Sequence, residues 1–148
     1  PTLKRTVQNL THLRELDLNR VDLSSVLPVS FMNLSSSLSS LSLSSTKLQG
    51  QFPEKIFLLQ NLQELHLEEN HNLSGSFPKS NWSSPLVELD LSSTGFSIDL
   101  AYLTRNLRNL NSLFLDHCKF IGSYPLLVGN FTQIIDLDLS NNKFRGPL

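Results

Sequence analysis

The sequence predicts an α/β-type solenoid, with one parallel β-sheet on its concave side and irregular or short helical segments on its convex side. Three observations carry that prediction. Leucine-type residues return every 24 positions, from Leu38/Leu41/Leu43 through Leu62/Leu65/Leu67, Leu86/Leu89/Leu91 and Leu110/Leu113/Leu115 to Ile134/Leu137/Leu139. A further copy, Leu13/Leu16/Leu18, stands one residue out of step. Within each copy apolar and polar residues alternate, as in Leu65-His66-Leu67, so the leucines share one face and the residue between them meets water. One such unit cannot bury its own apolar side. Neighbours must therefore stack, and about six copies across residues 1–148 form a single repeat domain.

Each strand should close at a position suited to asparagine, whose short amide can hydrogen-bond the turning backbone of adjacent copies. Asn70 and Asn142 occupy it, Thr46, Thr94 and Cys118 replace it, and Val21 in the first copy cannot make the bond. The resulting L-x-x-L-x-L-x-x-N/C core is the pattern of a leucine-rich repeat. A second signature follows the strand in Leu48-x-Gly50-x-Phe52-Pro53, Leu73-x-Gly75-x-Phe77-Pro78 and Phe120-x-Gly122-x-Tyr124-Pro125, and begins again at Phe144-x-Gly146. Glycine permits a tight or positive-φ turn there, and proline ends the pairing segment by removing a donor. The first copy has Ser25 in place of glycine but keeps Pro28. The fourth copy, Thr94 to Asp99, loses both landmarks, which predicts an irregular convex side.

Composition excludes some functions. A net charge of −1 gives no reason to expect nucleic-acid binding. Apolar runs such as Ile56–Leu59 are far too short to span a bilayer. Pro1-Thr2-Leu3-Lys4 leads straight into repeat sequence, no paired-cysteine cap precedes it, and Leu148 falls in mid-turn. The expectation is an internal piece of a longer solenoid, without the polar caps that open ends need. The single cysteine, Cys118, stands at the asparagine position as a buried structural thiol, and nothing supplies a metal-type cysteine spacing.

The L-x-G-x-φ-P element resembles the plant-specific class of leucine-rich repeats. Residues 10–25, LTHLRELDLNRVDLSS, and the one-residue-longer LEENHNLSGSFP at 67–78 resemble the ectodomains of plant receptor-like proteins, kinase-less receptors that include disease-resistance proteins. The resemblance implies recognition of a peptide or protein ligand at the extracellular side of the plasma membrane, in defence or developmental signalling. It also implies a co-receptor kinase as partner, and a membrane contact only through segments outside this sequence. Two alternatives use a similar repeat: a secreted inhibitor of cell-wall-degrading enzymes, and a passive spacer within a longer ectodomain.

Candidate sites fall into two groups. Asn9, Asn33, Asn72, Asn81 and Asn130 each begin an Asn-x-Ser/Thr sequon, and Asn9 and Asn130 share one loop register. The strand slots that face water hold ten of the thirteen acidic residues against only Arg14 and Arg20 among the basic ones. A basic peptide or protein surface would complement that ladder. The expected footprint is Glu64, His66, Glu68, Glu88, Asp90, Phe114 and Asp116, with Phe114 as an apolar anchor ringed by polar groups. Ser42, His66 and Asp90 share one slot in consecutive strands. A ladder spacing of about 4.8 Å and an open face without an oxyanion hole argue against a hydrolytic triad. A calcium or zinc site among His66, Glu68, Glu88, Asp90, Asp116 and His117 has suitable ligands but ranks below protein binding. No catalysis, metal or cofactor is therefore expected.

Overall fold

The computed structural model describes residues 2–79, 82–97, 99–123 and 131–146. Among them an α-helix, Leu3–Asn9 (α1), precedes the strand Glu15–Asp17 (β1). Next come Ser40–Ser42 (β2), Gly50–Phe52 (β3), Glu64–His66 (β4), Leu73–Gly75 (β5) and Glu88–Asp90 (β6). A second helix, Leu100–Asn106 (α2), leads to Ser112–Phe114 (β7), Ile121–Ser123 (β8), Asp136–Asp138 (β9) and Lys143–Arg145 (β10). Strands β1, β2, β4, β6, β7 and β9 form one sheet in that order. Every pair is parallel, and Leu16, Leu41, Leu65, Leu89, Leu113 and Leu137 align across it. This is the sheet that the 24-residue frame requires.

The inward leucines explain why the copies stack. Leu41, Leu43, Leu65, Leu67, Leu89, Leu91, Leu113 and Leu115 are completely buried, and each buried side chain of this size contributes about 1.5–3 kcal/mol. Leu16, Leu18 and Leu137, on the two edge strands, remain partly exposed. One residue beyond each strand's last leucine and its neighbour, the chain turns out of the sheet through a left-handed residue. Arg20, Ser45, Glu69, Ser93, His117 and Asn141 all have φ between 53° and 62°. The same unusual conformation recurs in six copies with no glycine among them, so the turn belongs to the repeat and not to a permissive residue.

The asparagine position immediately follows. Asn70 is 1% exposed, and its amide serves two copies at once. Oδ1 accepts from Thr46 N–H at 3.2 Å and Leu48 N–H at 3.0 Å, while Nδ2 donates to Leu43 O at 2.9 Å and Leu67 O at 2.8 Å. Asn142 repeats the pattern, donating to Leu115 O and accepting from Phe120 N–H. Cys118 does half of it: Sγ–H donates to Leu91 O at 2.9 Å, the carbonyl equivalent to Leu43 O. In the first copy, where Val21 stands, the neighbouring Asn19 bonds forward to the second copy, accepting from Ser44 N–H and Ser42 Oγ–H.

The convex side is built differently from copy to copy. Gly50, with φ +98°, lets β3 begin, and β3 pairs in parallel with β5. Pro53 follows Phe52, caps the 3-10 helix Glu54–Leu58 and ends the strand. Pro28 likewise opens a 3-10 helix, Pro28–Asn33. A second short ladder joins β8 to β10. The fourth copy corrects the sequence expectation: its convex segment is the regular helix α2 rather than an irregular run. Asp99 caps it by accepting from Ala101 N–H at 2.9 Å, and Leu100 and Leu103 bury its inner face, followed by Leu107 at its C-terminal cap. A capping aspartate and apolar residues at helical spacing replace the lost glycine and proline.

Candidate functional site

The parallel register sorts the concave side chains into rows. Glu15, Ser40, Glu64, Glu88, Ser112 and Asp136 form one row, and Asp17, Ser42, His66, Asp90, Phe114 and Asp138 form the next. Beyond the strands the ladder continues through Leu43 N–H to His66 O and Leu67 N–H to Asp90 O. This continuation places Ser44, Glu68, Ser92 and Asp116 in a third row. All seven footprint residues thus lie on one surface. Glu64 is exposed, and His66, Glu68, Glu88, Asp90, Phe114 and Asp116 are half-buried.

His66 is the electrostatic centre of that surface. Its Nε2 lies 3.5 Å from Glu88 Oε1 and its Nδ1 lies 3.8 Å from Glu68 Oε2. Glu64 and Glu88 sit directly opposite one another, which costs about 0.2–1 kcal/mol without a cation between them. Glu68 is held from the other side, because Ser44 Oγ–H donates to its Oε1 at 2.5 Å. His66, Glu68 and Asp90 each offer a ligand atom within 4.8 Å of the others. Of the six residues considered for a cation, the structure gathers these three.

Burial pushes the Asp90 carboxyl above its ordinary range and the charge of Glu68 adds to the effect, against opposition from the Ser92 N–H and His66. Asp116 moves the other way. Its partial burial is outweighed by the Ser92 hydroxyl and by His117, whose Nδ1 lies 3.1 Å from Asp116 Oδ2. Phe114 lies in register between Asp90 and Asp138, an apolar side chain between two carboxylates.

Several of these acids also have a structural task that the charge count did not reveal. Asp17, Asp90 and Asp138 each accept, through Oδ1, the N–H of the residue two positions on, at 2.9, 2.9 and 3.0 Å. These are Asx turns that start the chain out of the sheet. The signal was present in the sequence as Asp-Leu-Asn or Asp-Leu-Ser. The Ser42–His66–Asp90 alignment is real as a register, and Asp90 Oδ1 is engaged by Ser92 N–H.

The sequence model of the Leucine Rich Repeat family matches residues 12–34. Receptor-like protein 6 of Arabidopsis thaliana is 39% identical over 107 residues, covering 72% of this chain and 11% of that protein. Receptor-like protein Cf-9 of Solanum pimpinellifolium is 49% identical over 78 residues, 53% of this chain and 9% of that protein. The chain is a leucine-rich repeat of the plant receptor-like protein type. It spans about a tenth of the length of these relatives. A solved plant peptide hormone receptor, RGFR1 in complex with RGF2, superposes with a TM-score of 0.73 at 27% identity, over 93% of this chain and 22% of the other.

In this receptor-like repeat the described sequons are accessible. Asn9, Asn33 and Asn72 are exposed, at the ends of α1 and of a 3-10 helix and in the turn before β5. Asn81 and Asn130 lie outside the described residues. Among the described residues no helix is long and apolar enough to cross a membrane.

Proposed function

We propose that the concave face of the third to fifth copies recognises a basic peptide or protein segment, as part of a cell-surface receptor that signals through a partner kinase. The observation that carries the reading is the half-buried Phe114 set among carboxylates on a sheet that otherwise lacks exposed aromatic side chains in its strands. Anchors of this kind, buried by a partner and ringed by polar groups, carry most of the energy in protein interfaces. Support comes from the relatives, which are named receptor-like proteins, and from the likeness to a receptor solved with a peptide hormone. Glycosylation at Asn9, Asn33, Asn72, Asn81 and Asn130 fits the same setting of a secreted ectodomain.

The carboxylates would act mainly on the association rate, so affinity should weaken with salt. The informative charge reversal is Glu88→Lys, because a change at Asp90 would also break its Asx turn. In the complete receptor, Phe114→Ala should weaken ligand binding by about 1–3 kcal/mol, and Glu88→Lys should slow association while leaving the melting temperature within a few degrees. Unchanged binding in both variants would assign recognition elsewhere and make this stretch a spacer.

A further inference from the structure

A second candidate site lies on the flank of the solenoid, where the convex segments of the third and fourth copies return toward β6 and β7. There Ser84 N–H donates to Asn106 O and Asn109 Nδ2 to Ser84 O, so the two return segments run side by side. Between them is a cleft of about 560 Å³, lined by Lys79, Trp82, Tyr102, Arg105 and Arg108 together with serine and asparagine side chains, and by no carboxylate. Three cationic residues line it, in a chain whose net charge is −1.

The walls of the cleft are fixed. Trp82 Nε1–H donates to the Tyr102 hydroxyl at 3.1 Å, and its ring stacks on Phe77 at 6.4 Å with 14° between planes. Asn106 Nδ2 donates to Tyr102 O at 2.8 Å, and Arg108 Nε to Arg105 O at 3.1 Å. The cleft also depends on the helix that replaces the glycine-proline segment in the fourth copy, since Tyr102, Arg105 and Asn106 all belong to α2.

A partly buried indole, amides and hydroxyls, and guanidinium groups able to hold a carboxylate in two-point contact are the groups that an acidic pyranose ring needs. We propose that this cleft binds a uronate unit of an acidic oligosaccharide, independently of the concave face. An acidic peptide would satisfy the cations, but it has less use for amides and hydroxyls beside a flat aromatic wall.

The test is calorimetric titration of the complete protein. The probes are trigalacturonate, neutral galactotriose, a sulfotyrosine peptide and sodium sulfate. Trigalacturonate should bind saturably and at least tenfold more tightly than each of the others. Arg105→Glu with Arg108→Glu should cost at least tenfold, and Lys79→Glu alone at least threefold, should the double variant fold poorly. Equal or tighter binding of the peptide or of sulfate, no saturation by trigalacturonate at millimolar concentration, or unchanged affinity in these variants would overturn the proposal.

Discussion

Asn70 shows how much of this architecture rests on single side chains. Its amide satisfies four backbone groups from the second and third copies, all buried. Leaving such groups without partners costs about 1–3 kcal/mol each, partly recovered by relaxation and entering water. Asn70→Ala should therefore destabilise the protein by about 3 kcal/mol, measured by denaturant unfolding; a change below about 1 kcal/mol would show that the turns hold without the amide. The Asp90 carboxyl makes an opposite kind of prediction. Its folded-state value is raised by burial and by Glu68, so the ionised form destabilises the fold at neutral pH, and that penalty is relieved as pH falls through the raised value. Asp90→Asn keeps the Oδ1 acceptor for Ser92 N–H, and should melt above the parent at pH 7 with a difference that shrinks on acidification. A variant melting below the parent at pH 7 would contradict this. Asp22 and Asp116 contribute with the other sign. Both are lowered, Asp22 chiefly by hydrogen bonds from Ser24 and Lys47, so their stabilisation is lost as pH drops below the usual carboxylate range.

At the scale of elements, Gly75 and Phe96 lock the third copy to the fourth. A Cβ at Gly75 would fall 2.5 Å from the Phe96 ring, which is fully buried and 5.8 Å from Phe77 between ring centres. Gly75→Ala should destabilise by about 1–3 kcal/mol through overpacking, and Phe96→Leu in the same chain should recover part of the loss; a double-mutant cycle with no coupling would refute the contact. The glycine signature was legible in the sequence, but its reason was not uniform. Gly50 serves a positive φ, whereas Gly75 serves a close approach that only the packed coils create. The six concave strands and their register were legible because a 24-residue frame leaves one alignment of leucines. Helix α2 was not, because a single capping aspartate, Asp99, with Leu100, Leu103 and Leu107 at helical spacing is a weaker pattern than the glycine and proline it replaces. The concave rows were legible for the same reason as the strands. The flank cleft was not, since Trp82, Tyr102 and Arg108 are brought together only by the packing of two return segments.

At the scale of the whole molecule, the solenoid presents a concave sheet rich in carboxylates and a flank that carries clustered cations. The burial of Asp90 also ties recognition to pH: its carboxyl takes up a proton earlier than an ordinary aspartate as the medium acidifies, so attraction for a basic ligand should fall off sooner. On the proposed reading the ligand lies on the concave face at Phe114. A photo-activated cross-linking residue at position 114 of the complete receptor, with a second version at the exposed convex residue Leu58, checks that placement. Ligand should be captured from position 114 and not from position 58. Capture from position 58 alone would contradict it.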